Sequence, residues 1–154
     1  MKKMATLLLA LGLATQAHAS CFVLGDSIAQ GTAANLPACQ SNTKVGLNTL
    51  DALTRFSTLP ATPTTVISLG INDGGTPIPT RRNLEVIRAR VKSSHVVWIL
   101  PSHADKKAVV EAVATAHHDK TMDVDRLISS DGIHPTWNGY KVIASQISAD
   151  YKLQ

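Results

Sequence analysis

Short apolar runs alternate with helical periods along most of the chain. Cys21–Gly25 (CFVLG) is an apolar run ended by glycine and reads as a buried strand. Thr64–Gly70 (TTVISLG) and Ser94–Pro101 (SHVVWILP) are β-branched runs closed by Gly or Pro, the strongest strand signals in the sequence. Thr43–Gly46 (TKVG) and Thr121–Ile128 (TMDVDRLI) are shorter strand candidates. Between them, Leu47, Leu50, Leu53 and Phe56 recur every third residue, and Leu84, Ile87 and Val91 share a face after a capping Thr80. Ala104–His118 sets Val109, Ala112, Val113 and Ala116 on one side. A last helix from Thr136 aligns Tyr140, Ile143, Ile147 and Tyr151. Apolar strands alternating with helices predict an α/β fold, a parallel sheet covered on both faces. The proline-bearing stretches TLPATPTT and GGTPIPT are connections within one domain.

The first 19 residues fall outside this pattern. Lys2 and Lys3 precede an apolar core, ATLLLALGLA, and a small-residue pattern ends at Ala19. They read as a secretory signal peptide; the apolar run is too short to span a bilayer. Residues 20–154 then form the mature chain, expected to be secreted or periplasmic, monomeric and without stable membrane insertion. The formal charge is +4, of which Lys2 and Lys3 supply two. The remainder is too weak and scattered for a nucleic-acid partner. Cys21 and Cys39 are the only cysteines, and export favours a disulfide between them over two reduced thiols. A lipid-anchored Cys21 is disfavoured by His18, where such a signal wants an aliphatic residue.

Ligands of open parallel sheets bind beyond the carboxyl ends of the strands, so the residues just after each strand carry the chemical interest. Ser27, in the stretch Gly25-Asp26-Ser27, is either a helix N-cap or a nucleophile. It is not the G-x-S-x-G elbow, since residue 29 is alanine. Asp131–Pro135 (DGIHP) offers what a serine nucleophile needs: His134 as base, and Asp131 to hold the imidazole across a Gly132 turn. The alternative is a surface turn in which Asp131 caps the last helix. Gly70–Asp73 (GIND) supplies the Asn72 amide, a donor for a negative oxygen; a plain β-turn is the other reading. His117-His118 reads as an exposed helix end rather than a metal site, His103 as a loop residue, and Trp98 as core. Trp137 reads as helix-start packing or, alternatively, as a sugar platform.

Taken in order, GDS, GIND and DGIHP followed by NGY (Asn138–Tyr140) resemble the sequence blocks of the GDSL/SGNH hydrolases over essentially the whole mature chain. The resemblance implies a flavodoxin-like three-layer α/β/α sandwich on a five-stranded parallel sheet. It implies Ser27 as nucleophile, His134 as base, Asp131 as its partner, and an oxyanion hole from Ser27, Asn72 and a glycine of the second block. Gly46 fits that glycine by position; Gly31 is a poorer fit because it belongs to the first helix. Asp73 is expected to hold the GIND turn. No metal or organic cofactor is implied.

The expected activity is hydrolysis of carboxylic esters through an acyl-enzyme. The mature chain is too short to add a lid domain, so the cleft should be shallow and open. That favours small acyl groups, such as acetyl esters on saccharides or cell-wall polymers, borne on a small-molecule or polymeric substrate. The competing readings are a lysophospholipase or thioesterase, an acyltransferase, a catalytically silent envelope-binding module, and a phosphate-binding flavodoxin-like domain. The last lacks a glycine-rich cradle at the first turn.

Overall fold

A computed structural model describes residues 19–153. The signal-peptide reading of residues 1–19 thus falls almost wholly outside the described residues. Five strands and five α-helices alternate: β1 (Cys21–Gly25), α1 (Ser27–Ala33), β2 (Cys39–Thr43), α2 (Thr49–Arg55), β3 (Thr64–Ser68), α3 (Pro77–Arg90), β4 (His95–Ile99), α4 (Ala104–Ala116), β5 (Lys120–Met122) and α5 (Trp137–Tyr151). A 3₁₀ turn, Asp125–Leu127, precedes α5. All four strand pairings are parallel and the order is β2-β1-β3-β4-β5. The connection direction reverses between β1 and β3, which places the crevice for a ligand there.

Alternation along the strands sorts the core into two layers. Phe22, Leu24, Ile67, Val96 and Trp98 pack with α2, α3 and α4 residues such as Ala52, Leu84, Ile87, Val110 and Val113. Val23, Val66, Val97 and Ile99 pack on the other face with Ile28 and Ala29 of α1 and Ile143 and Ile147 of α5. The sandwich therefore has three layers, as expected.

Several local expectations shift. The second strand runs over Cys39–Thr43 rather than Thr43–Gly46. It is a half-exposed edge strand of sequence CQSNT, so it carries little apolar signal. The last strand is only Lys120–Met122; Val124 turns into the core and the chain enters the 3₁₀ turn instead of continuing to Ile128. In α2, Leu47 precedes the helix and Leu50 is 66% exposed, because a strict three-residue repeat drifts around a 3.6-residue helix. The buried face there is Ala52 and Phe56. Thr76 occupies the N-cap of α3 with Pro77 behind it, and Thr80 lies one turn inside, buried. In α4 the buried stripe is Val110, Val113 and Ala114, one step from the predicted one. Cys21 and Cys39 are register partners on β1 and β2 and form a disulfide, with Cα atoms 4.6 Å apart. Trp98 is fully buried, as expected of core.

Gly25 ends β1 where β1 meets β3. Its φ is +140°, and a Cβ there would sit 1.9 Å from the Ser68 carbonyl oxygen. Only glycine permits this approach, which leaves the Asp26 N–H to donate to that same oxygen at 3.0 Å. The turn into α1 is thereby pinned to β3.

Candidate active site

The first turn of α1 is organised by Asp26, not by Ser27. Asp26 is the N-cap: its Oδ1 accepts from the Ile28 N–H at 2.9 Å and the Ala29 N–H at 3.4 Å. The Ser68 hydroxyl donates to the same oxygen at 3.0 Å, tying the cap to β3. Ser27 is the first helical residue, so its hydroxyl is released from capping. It meets His134 Nε2 at 2.9 Å, across 107 residues of sequence.

On the far side of the ring, His134 Nδ1 lies 2.8 Å from Asp131 Oδ2. Asp131 Oδ1 accepts the backbone N–H groups of Ile133 and His134, both at 2.8 Å. The Asp131 carboxylate is thus held by its own turn while it faces the imidazole. Those bonds, the Ile133 N–H first, then the His134 N–H and ring, keep Asp131 well below the usual carboxylate range. It stays charged deep into acid, ready to accept a hydrogen bond from Nδ1–H and leave Nε2 free as an acceptor. The turn is braced by Ser129 N–H donating to the His134 carbonyl at 2.8 Å and Ser102 Oγ donating to the Gly132 carbonyl at 2.8 Å. The cap of α5 is Thr136, whose Oγ1 accepts the Gly139 N–H at 2.9 Å. Asp131 is accordingly free of the helix-capping role. The His134 and Asp131 side chains are 40% and 49% exposed, so the pair lies in an open cleft.

The β2–α2 and β3–α3 loops close the other side. Lys44 N–H donates to the Gly25 carbonyl at 2.9 Å, which draws the β2–α2 loop against the start of α1. Asn72 Nδ2 donates to the Leu47 carbonyl at 3.1 Å. This bond fixes the amide plane and uses one of its two hydrogens. Next to Leu47, Gly46 is exposed with φ +71° and open space around its Cα. Its N–H makes no hydrogen bond among the described residues. Asp73 accepts the Thr49 N–H at 3.2 Å and the Thr49 hydroxyl, so it ties the GIND loop to the start of α2 rather than only holding its own turn. Ser27, His134, Asp131, Asn72 and Gly46 thus all belong to the strand-end loops around the β1/β3 switch point. Gly31 lies within α1, where a Cβ would strike the Tyr140 ring at 2.4 Å; it packs α1 on α5.

Other residues of the site gave no warning in the sequence. Lys106, on the first turn of α4, donates to the Ile71 carbonyl at 2.5 Å and steadies the peptide just before Asn72. Only its place shortly after a strand hinted at this. Ser68 ends a buried apolar run and reads there as ordinary strand. Trp137 was expected as helix-start packing; it is 71% exposed. A groove of ≈ 490 Å³ beside Asn72 is lined by Leu50, Ile78, Pro79, Arg82 and Asn83. A larger cavity, ≈ 680 Å³, lies at the opposite ends of β4 and β5 beside His95, His117 and His118, remote from this chemistry. His117 and His118 follow the end of α4, as the helix-end reading expects.

Asp26 also has an electrostatic consequence. It is fully buried, and Oδ2 has no hydrogen-bond partner among the described residues. Burial pushes its carboxyl from the ordinary 3.8 up to about 6, against the bonds from Ser68, Ala29 and Ile28. The folded protein then binds this proton more tightly than the unfolded chain does. The carboxylate therefore costs stability above pH about 6, and the cost is relieved as pH falls from 6 to 3.8. Asp26→Asn keeps an acceptor for the cap and removes the charge. Its stability relative to wild type, from urea unfolding, should improve by up to about 3 kcal/mol between pH about 4 and 7. A difference that stays flat across that range would contradict this account.

Known structures share this arrangement of chain. Over 86% of the chain and 92% of theirs, it superposes on the C-terminal catalytic domain of Streptococcus pneumoniae peptidoglycan O-acetyltransferase A, with a TM-score of 0.57 and 20% identity. A Sinorhizobium meliloti carbohydrate acetylesterase matches 86% of the chain over 99% of its own, at TM-score 0.57 and 16% identity. A Bacteroides uniformis protein assigned as a GDSL-like lipase matches 85% over 94% of its own, at TM-score 0.63 and 12% identity. The chain has the SGNH hydrolase fold. No family model matches the sequence, and no curated protein sequence matches it significantly. At these identities the SGNH likeness concerns the fold; the chemistry rests on the residues described above.

Proposed function

We propose that the protein is a serine esterase of the SGNH type, cleaving carboxylic esters of small acyl groups through an acyl-enzyme. The observation that carries this reading is the continuous relay from Ser27 Oγ to His134 Nε2 at 2.9 Å and from His134 Nδ1 to Asp131 Oδ2 at 2.8 Å. Ser27 attacks the ester carbonyl while His134 takes its proton, and Asp131 steadies the imidazolium. The second Asn72 hydrogen and the N–H groups of Gly46 and Ser27 receive the negative oxygen. His134 then protonates the leaving alcohol, and water repeats the cycle to release the acid.

The open cleft supports short acyl groups, with acetyl esters of saccharides or cell-wall polymers as the substrate class. The disulfide supports a secreted or periplasmic site of action, since such bonds persist in oxidising compartments. No helix among the described residues is long and apolar enough to cross a membrane.

The test is hydrolysis of p-nitrophenyl acetate by the purified protein, with Asn72→Ala beside wild type. Loss of one oxyanion donor should lower kcat by about 10²–10³-fold. An unchanged kcat would remove Asn72 from the oxyanion hole, and no hydrolysis by wild type would sink the esterase reading.

A further inference from the structure

Trp137 is the largest exposed apolar side chain among the described residues, at 71%. It opens α5, three residues after His134, and the cap of that helix is the Thr136 hydroxyl, which leaves the Trp137 side chain without a capping role. Nothing in the fold requires an indole here. One turn on, Tyr140 packs against Gly31 of α1. Trp137 lies one turn before Tyr140, at the end of α5 that follows the His134 loop. Lys141 brings its ammonium over the ring, 5.8 Å from the centroid.

The chemistry of the relay says what lies on this side. His134 returns its proton to the leaving oxygen, so the alcohol half of the ester must extend past the imidazole. The acyl half lies across the carbonyl, toward Asn72 and its groove. An alcohol beside Trp137 meets an exposed indole with the Lys141 ammonium over one face of the ring. A fatty chain would need a continuous apolar track, and α5 supplies none: Val142, its next exposed large apolar residue, sits well around the helix from Trp137. A sugar matches better. Its C–H face covers an indole, while its hydroxyls meet Lys141 and water in a cleft where His134 and Asp131 are themselves about half exposed.

We propose that Trp137 is the stacking platform for a saccharide, the alcohol half of the ester, and so a specificity-determining residue beside the catalytic relay. The proposal rests on the esterase reading for its orientation, but its binding can be measured without turnover.

Two arms test it. In the first, kcat/KM is measured on O-acetylated chitotriose, O-acetylated xylotriose and vinyl acetate, whose alcohol part is too small to reach the ring. In Trp137→Ala the ratio of saccharide ester to vinyl acetate should fall roughly tenfold, the size of one aromatic stacking contact, mainly through KM. Trp137→Phe should restore most of it. A ratio unchanged in Trp137→Ala on both saccharides would overturn the proposal.

In the second arm, Ser27→Ala is titrated with unesterified chitotriose and xylotriose while tryptophan emission is followed. The chain has two tryptophans and Trp98 is fully buried, so an exposed response belongs to Trp137. Quenching that disappears in Ser27→Ala/Trp137→Phe supports the platform; no quenching by either sugar overturns it. If wild type hydrolyses none of the esters, the esterase reading fails and this titration alone decides the platform.

Discussion

Ser27→Ala should lower kcat on p-nitrophenyl acetate by about 10⁴-fold or more, with the protein still folded. The two halves of that statement come from different atoms. Activity goes because the Oγ removed is the one that meets His134 Nε2 at 2.9 Å. The fold stays because Asp26, not Ser27, caps α1 and pins it to Ser68. Had Ser27 been the cap, alanine would cost roughly 1 kcal/mol of stability and leave kcat untouched. Thermal unfolding and kinetics on one preparation separate the two cases. Unchanged kcat with a lowered Tm would contradict the account.

Asp131→Asn should cost about 10³–10⁴-fold in kcat. Asparagine keeps an oxygen for the Ile133 and His134 N–H groups, so the turn survives. It replaces Oδ2 with an amide nitrogen that donates toward Nδ1. The imidazole then carries its proton on Nε2, facing Ser27, and cannot accept another there. The prediction is a loss in kcat with KM little changed, because Asp131 touches the base rather than the ester. A loss confined to KM would place Asp131 in substrate binding instead.

The sequence was most readable where burial is complete. β1, β3 and β4 lie inside the sheet and are covered on both faces, so their apolar runs announce them. β2 and β5 are edges. Their half-exposed residues follow solvent as much as core, and CQSNT carries no apolar pattern to detect. The stripe in α2 was misplaced because a three-residue repeat drifts around the helix, and the one in α4 because small apolar residues fall on several of its sides. Leu50 looks like core by spacing alone, yet it borders the groove beside Asn72.

The candidate site was legible for a related reason. Ser27, Asn72 and the Asp131–His134 pair are polar residues directly after predicted strands, and chain order carried them to one end of the sheet. Gly46 kept its place although its strand ended three residues earlier, because the loop is drawn in by the Lys44–Gly25 and Asn72–Leu47 bonds. What spacing could not convey was partnership. Asp26 as the cap, Thr49 as the partner of Asp73 and Lys106 beneath Ile71 depend on contacts between loops distant in sequence. Exposure is equally silent in a one-dimensional pattern, and Trp137 reads there as packing.

The central claim is that Ser27 is a nucleophile activated by His134, and covalent capture tests it most directly. The wild-type protein is treated with a fluorophosphonate and digested, and the modified residue is located by mass spectrometry. The account predicts one adduct, on Ser27, formed slowly or not at all in His134→Ala. Absence of an adduct on Ser27 in wild type, or equal labelling of Ser27 in His134→Ala, would contradict it.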